Sequence, residues 1–145
     1  MKTPDIEKFK KILKSRGLKA TPQRLAVHSA MMELGHASAD MVHDRIQERS
    51  DVKISVASVY NILSQLALMG VYDHRLSANN KMFFDINTAR HIHLYDIKNH
   101  EFKDVEDEKL IEKVEEHFRG RRFKGYRMDN IDIQIICHPT RARKQ

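Results

Sequence analysis

The chain has one cysteine, no tryptophan and five glycines in 145 residues. A single thiol, Cys137, excludes an intrachain disulfide and any CxxC metal knuckle. No apolar run approaches the length needed to span a bilayer, and the first residues hold no signal-peptide core. A soluble, cytoplasmic protein without membrane contact is the expectation. There is no internal repeat and no low-complexity tract. Acidic residues are scarce at the start: up to Arg24, Asp5 and Glu7 face eight cations, among them Lys14, Lys19 and Arg24. The whole chain carries a formal charge of +6 and a pI of about 9.5. That balance favours a polyanionic partner.

What is present is organised around Ser55–Gly70. Val56, Val59, Ile62, Leu63, Leu66 and Met69 recur at helical spacing. The opposite face carries Ala57, Ser58, Tyr60, Asn61, Ser64 and Gln65, all uncharged. Short side chains let a backbone approach a groove closely, and Asn and Gln can pair with an adenine edge. Ser55 suits the N-cap and Gly70 the end. Before it, residues 5–16 read as a basic helix with Ile6, Phe9, Ile12 and Leu13 inward. Thr21 and Pro22 start a second helix that Gly35 stops, and Ser38 caps a third. Three helices leading into one with a polar, uncharged face is the order of a helix-turn-helix module.

After Gly70 the period changes. VYDHRL and KMFFDI are short β-like runs around SANN, a turn signal. They read as a wing from which Arg75 and Lys81 reach phosphates or a minor groove. The fold class expected is α+β: a winged helix over 1–85, a hinge at 86–90 and a small α/β domain over 91–145. A small all-α domain with a stray hairpin is the rival for the first half. In the second half, HIHLYDI and EFKDVED read as strands, 107–119 as a helix and Tyr126–Cys137 as a last strand, then a frayed basic tail. Roughly 55 residues make a thin core alone, so this half is expected to bury surface against a second copy. Cys137 reads as buried packing within that strand.

Five residues invite a metal: His36, Asp85, His91, His93 and Asp104. His91 and His93 are two apart on a strand, so both imidazoles share a face. Mixed imidazole and carboxylate ligands suit Fe(II), Mn(II) or Zn(II). A chain with nine histidines also produces an HxH by chance. His100, His117 and Asp96 are secondary candidates. An ion held by all five residues would lock the hinge and select one placement of the reading heads in a dimer.

GLKATPQR, GHASAD, ISVASVYNILSQLALMGVY and FFD before HIHLYD occur here in an order and spacing that resemble the ferric uptake regulator family over nearly the whole chain. The resemblance implies a homodimeric, metal-dependent transcription regulator, expected to be a repressor, that binds a palindromic operator on double-stranded DNA and is not an enzyme. It implies His36, Asp85, His91, His93 and Asp104 as the regulatory metal site, with Fe(II) or Mn(II) and one metal per subunit. Zn(II) would also be accepted. It makes Ser55–Met69 the recognition helix with Tyr60 in the family's DNA-contacting position, so with the polar face the DNA contacts expected are Ser55, Ala57, Ser58, Tyr60, Asn61 and Ser64. Asn61 departs from the arginine usual there. The family's structural-zinc cysteine pairs are absent: Asp96 and Asn99 stand where the first would be, and no pair follows Cys137. No structural zinc is therefore expected. The second family site is lost as well, since Arg90 and Ile92 occupy two of its positions. Asp at both 85 and 104 resembles the peroxide-sensing branch, in which a ligand histidine is oxidised, here His36 or His91. Iron-responsive and haem-linked branches are the alternatives, although the Cys-Pro haem motif is missing. Outside the family stand two rivals. One is a mononuclear non-haem iron enzyme with His91, His93 and a carboxylate as facial triad, which would need an enclosed pocket. The other is a metal-independent DNA-coating protein.

Overall fold

A computed structural model describes residues 5–88 and 91–141. The remaining hinge positions, 89 and 90, and the end of the basic tail, 142–145, lie outside the described residues. The chain is mixed α+β and divides into two units, Met1–Ala89 and Arg90–Gln145.

Capping residues set the helices of the first unit. Asp5 accepts the Lys8 N–H at 2.8 Å and opens α1, Ile6–Ser15. Thr21 accepts from Arg24 N–H at 3.2 Å ahead of α2, Pro22–Leu34, which has proline in its first turn. Gly35, at φ +74°, ends that helix in a conformation that favours glycine. Ser38 caps α3, Ala39–Arg49, and Ser55 caps α4, Val56–Leu68. Phe9, Leu13, Val27, Met31, Val42, Val59 and Leu63 are fully buried in one core. The apolar stripe expected on α4 holds except at its start. Val56 is exposed, because as the first helical residue it precedes the turn that packs inward.

Three strands complete this unit: β1 (His36–Ala37), β2 (Asp73–Leu76) and β3 (Met82–Asp85). They form an antiparallel sheet in the order β1-β3-β2. His36 stands on the two-residue strand, opposite Asp85. The β2–β3 turn closes through Asn80 N–H to Ser77 O at 2.9 Å, and Ser77 Oγ accepts the Lys81 N–H at 3.1 Å. Asn80 takes φ +64°, which asparagine tolerates better than most residues. Lys81, expected to reach phosphates, has its ammonium 3.4 Å from Asp40 on α3.

The second unit holds β4 (Ile92–Asp96), β5 (Glu101–Val105), α5 (Glu108–Phe118) and β6 (Gln134–Cys137). The order is β5-β4-β6, with β6 parallel to β4. The expected strand Tyr126–Cys137 is cut to its last four residues. Residues 127–133 run without regular structure, through the turn-favouring stretch Asp129–Asn130. Cys137 is half-buried rather than buried, its thiol donating to Tyr95 O at 3.5 Å. The core is small: Ile92, Tyr95, Phe102 and Ile111. Among the described residues, no helix is long and apolar enough to cross a membrane.

Candidate metal centre and nucleic-acid interface

Each unit carries part of the expected donor set. In the first, the pairing of β1 with β3 sets His36 directly across from Asp85. The imidazole Nε2 stands 3.1 Å from Asp85 Oδ2. Asp85 is 1% exposed. Burial pushes its carboxyl up. His36, the Asn87 N–H at 2.8 Å from Oδ1, and Arg75 outweigh that and hold it down at about 2.

Arg75 departs from expectation. The residues of β2 invert the usual alternation, with Arg75 buried and Leu76 exposed. Arg75 lies opposite Phe83, so Asp85 is its diagonal neighbour on the same face. Its Nη1 donates to Asp85 Oδ2 at 3.0 Å. A guanidinium so placed is committed to a carboxylate, not to a phosphate, and Arg75 drops out of the DNA-contacting set.

In the second unit, the β4–β5 register sets His93 opposite Asp104. His91 Nε2 lies 2.9 Å from Asp104 Oδ1, and His93 Nδ1 lies 3.8 Å from the same oxygen. His91 directly precedes β4, and the two imidazoles stand edge to face with centroids 4.2 Å apart. Both histidine side chains are buried, while Asp104 is about a third exposed. Asp132, which sequence reading passed over, lies just before β6 with Oδ1 3.4 Å from His93 Nε2. A carboxylate behind a histidine fixes the ring and raises its basicity. The signal was there: Asp132 alternates with Ile131 and Ile133, so it faces away from the apolar side.

The donors fit a divalent transition metal. Imidazole nitrogen and carboxylate oxygen are the ligand types Fe(II), Mn(II) and Zn(II) share. In each unit one N···O pair lies at 3.1 or 2.9 Å, close enough for both atoms to meet one ion. Asp96 is engaged differently. Its Oδ1 accepts Lys98 and Asn99 N–H, and its Oδ2 accepts the Asn99 side-chain amide at 2.8 Å. His100 Nδ1 sits 3.3 Å from the Tyr95 hydroxyl.

On the polar face of α4, Ala57, Tyr60 and Asn61 are exposed, and Ser58 and Ser64 half-buried. Ser55 is spent partly on the helix itself. Its hydroxyl accepts Ser58 N–H at 3.1 Å and donates to Ser58 Oγ at 3.0 Å. The Tyr60 ring meets Phe84 edge-on at 6.0 Å, which orients the phenol without burying it. Lys14 and Lys19 are exposed. Arg24 Nη1 donates to Lys19 O at 2.9 Å, tying the α1–α2 connection to α2.

Residues 15–135 match the model of the Ferric uptake regulator family. The ferric uptake regulation protein of Haemophilus ducreyi is 33% identical over 118 residues, covering 76% of this chain and 78% of that protein. The crystal structure of the Vibrio cholerae ferric uptake regulator matches with a TM-score of 0.75 at 21% identity, over 90% of this chain and 99% of that one. The Campylobacter jejuni peroxide stress regulator matches with a TM-score of 0.65 at 28% identity, over 90% and 96% of the two chains.

Proposed function

The chain belongs to the ferric uptake regulator family of metal-responsive DNA-binding regulators, and from that premise we propose that it is a homodimeric, peroxide-sensing repressor. One Fe(II) or Mn(II) per subunit is held by His36, Asp85, His91, His93 and Asp104. The α4 face of Ala57, Ser58, Tyr60, Asn61 and Ser64 reads a palindromic operator, with Ser55, Lys14, Lys19 and Arg24 on the backbone. The observation that carries the reading is the paired donor sets: His36 with Asp85 in one unit, His91 and His93 with Asp104 in the other. A metal drawing ligands from His36 and Asp85 and from His91, His93 and Asp104 together would make its occupancy a control on DNA binding. Exposed Ile135 and Ile136 on β6 support pairing of two copies through the second unit.

The donors are compatible with peroxide sensing. Fe(II) held by these residues would supply a redox catalyst for hydrogen peroxide. An imidazole C–H of His36 or His91 would become C–OH, giving up the two electrons that reduce the peroxide, whose second oxygen leaves as water. The oxidised ring is a poor ligand, and the units are released from the DNA-binding arrangement. Aspartate rather than glutamate at 85 and 104, and the likeness to the Campylobacter regulator, support this branch. The 33% identity to a ferric uptake regulation protein favours a second reading, in which iron supply alone is sensed.

An anaerobic gel shift on the protein's own promoter separates the two. Apo, Mn(II) and Fe(II) protein are compared before and after peroxide, followed by peptide mass spectrometry. Release of the Fe(II) form alone, with one added oxygen at His36 or His91, is the expected result. Fe(II) protein that keeps both its DNA and its unmodified histidines overturns peroxide sensing in favour of iron response.

A further inference from the structure

The buried face of the wing sheet is more acidic than its surroundings suit. Asp73 and Asp85 stand directly opposite each other on β2 and β3, with His36 across from Asp85 on the other side. A carboxylate as buried as Asp85 is costly unless a cation meets it. Arg75 meets it, at 3.0 Å, from a side chain that is itself 8% exposed. Both partners use the same oxygen: Arg75 Nη1 and His36 Nε2 each approach Oδ2. The other oxygen is held by the Asn87 N–H. Leu76 points outward so that Arg75 can point in, which reverses the pattern burial alone would select.

We propose that Arg75 is a resident counter-cation for Asp85, a positioning residue that neutralises the carboxylate while no metal is bound and sets how tightly a divalent metal binds there. The inference rests on the reading of Asp85 as a metal ligand. Arg75 has two opposed effects on the metal. It keeps Asp85 in place, which favours binding. It also repels a doubly charged ion across one carboxylate and competes for Oδ2, which disfavours it. Repulsion wins, because a unit charge acts on a divalent ion at short range in a dry site. The positioning lost with Arg75 is small, since the Asn87 N–H and the β3 register still hold the aspartate. Arg75 thus raises the metal concentration at which the site fills, and spares the empty protein an unneutralised buried charge.

The test uses the full chain in three forms, R75Q, R75K and D85N, beside wild type. R75Q keeps a hydrogen-bond donor but removes the charge, and R75K keeps the charge. Mn(II) affinity is measured by anaerobic calorimetric titration, and thermal unfolding is followed with and without Mn(II). R75Q is expected to bind Mn(II) at least about tenfold more tightly, the worth of one charge-assisted hydrogen bond. Its metal-free form melts below wild type, while its Mn(II) form melts with wild type. R75K stays within about twofold of wild type in affinity. A merely structural arginine would lower both melting temperatures together and leave affinity unchanged or weaker, and that result overturns the proposal. D85N distinguishes the two levels. If D85N loses Mn(II) affinity and R75Q binds as wild type does, the counter-cation role alone fails. If D85N binds as wild type does, Asp85 is not a ligand and both readings fall.

Discussion

The two units differ in how they are held together. The first buries a continuous core from Phe9 on α1 to Ile86 after β3, drawn from all four helices and the sheet. The second buries Ile92, Tyr95, Phe102 and Ile111, while Ile136 stays 57% and Tyr126 83% exposed. Their donors differ in the same sense. Asp85 is sealed and answered by an arginine, whereas Asp104 is partly open and answered by histidines. The lesson is that apolar burial completes the first unit and leaves the second with a thin core.

The contrast breaks most readily at the cores. Leu63→Ala, fully buried in the first unit, is expected to cost about 3 kcal/mol in urea unfolding. Ile111→Ala, at the margin of the thin core, is expected to cost about half as much, because its surroundings already meet water. Equal losses would mean that the second unit is as well packed as the first. Next comes pH. The folded Asp85 carboxyl is held at about 2 against an ordinary 3.8. A depressed carboxyl stabilises above its unfolded value, so that stability is full above about pH 4 and is lost as pH falls from there through 2. The metal-free wild type should lose about 2 kcal/mol over that window. D85N should show a flatter profile there, read from acid unfolding by circular dichroism. A third test addresses the uncovered face. Ile136→Asp on β6 should weaken self-association about tenfold or more by sedimentation, with the first unit's unfolding unchanged. A variant that associates like wild type would remove β6 from the interface.

The same contrast governs what was readable in the sequence. Helices of the first unit announced themselves, since Thr21, Ser38 and Ser55 are side-chain caps and Gly35 and Gly70 are stops with positive φ. His91 and His93 stood out because period-two spacing and residue chemistry coincide there, and the structure sets Asp104 against both. β1 was not legible, because a two-residue strand has no period to detect. Arg75 was misread for a related reason: which face of a hairpin is buried depends on register, and an arginine beside a leucine argues for the wrong one. β6 was over-extended because alternating isoleucines run on past the residues that find a partner.

The smallest expected effect lies in the turn between β4 and β5. In the first unit, the β2–β3 turn is tied by Ser77, whose hydroxyl takes the Lys81 N–H. In the second, Asp96 does the same work with three bonds, two to backbone N–H groups and one to the Asn99 amide. Asp96→Ala removes an acceptor from exposed or half-buried donors that water can reach, so the loss is modest, about 1 kcal/mol. Asp96→Asn keeps the oxygen that takes the two backbone N–H groups and gives up only the amide bond, so it should cost about half of that. Urea unfolding of both variants beside wild type checks the order. Asn costing as much as Ala would mean that the charge, not the acceptor, holds the corner.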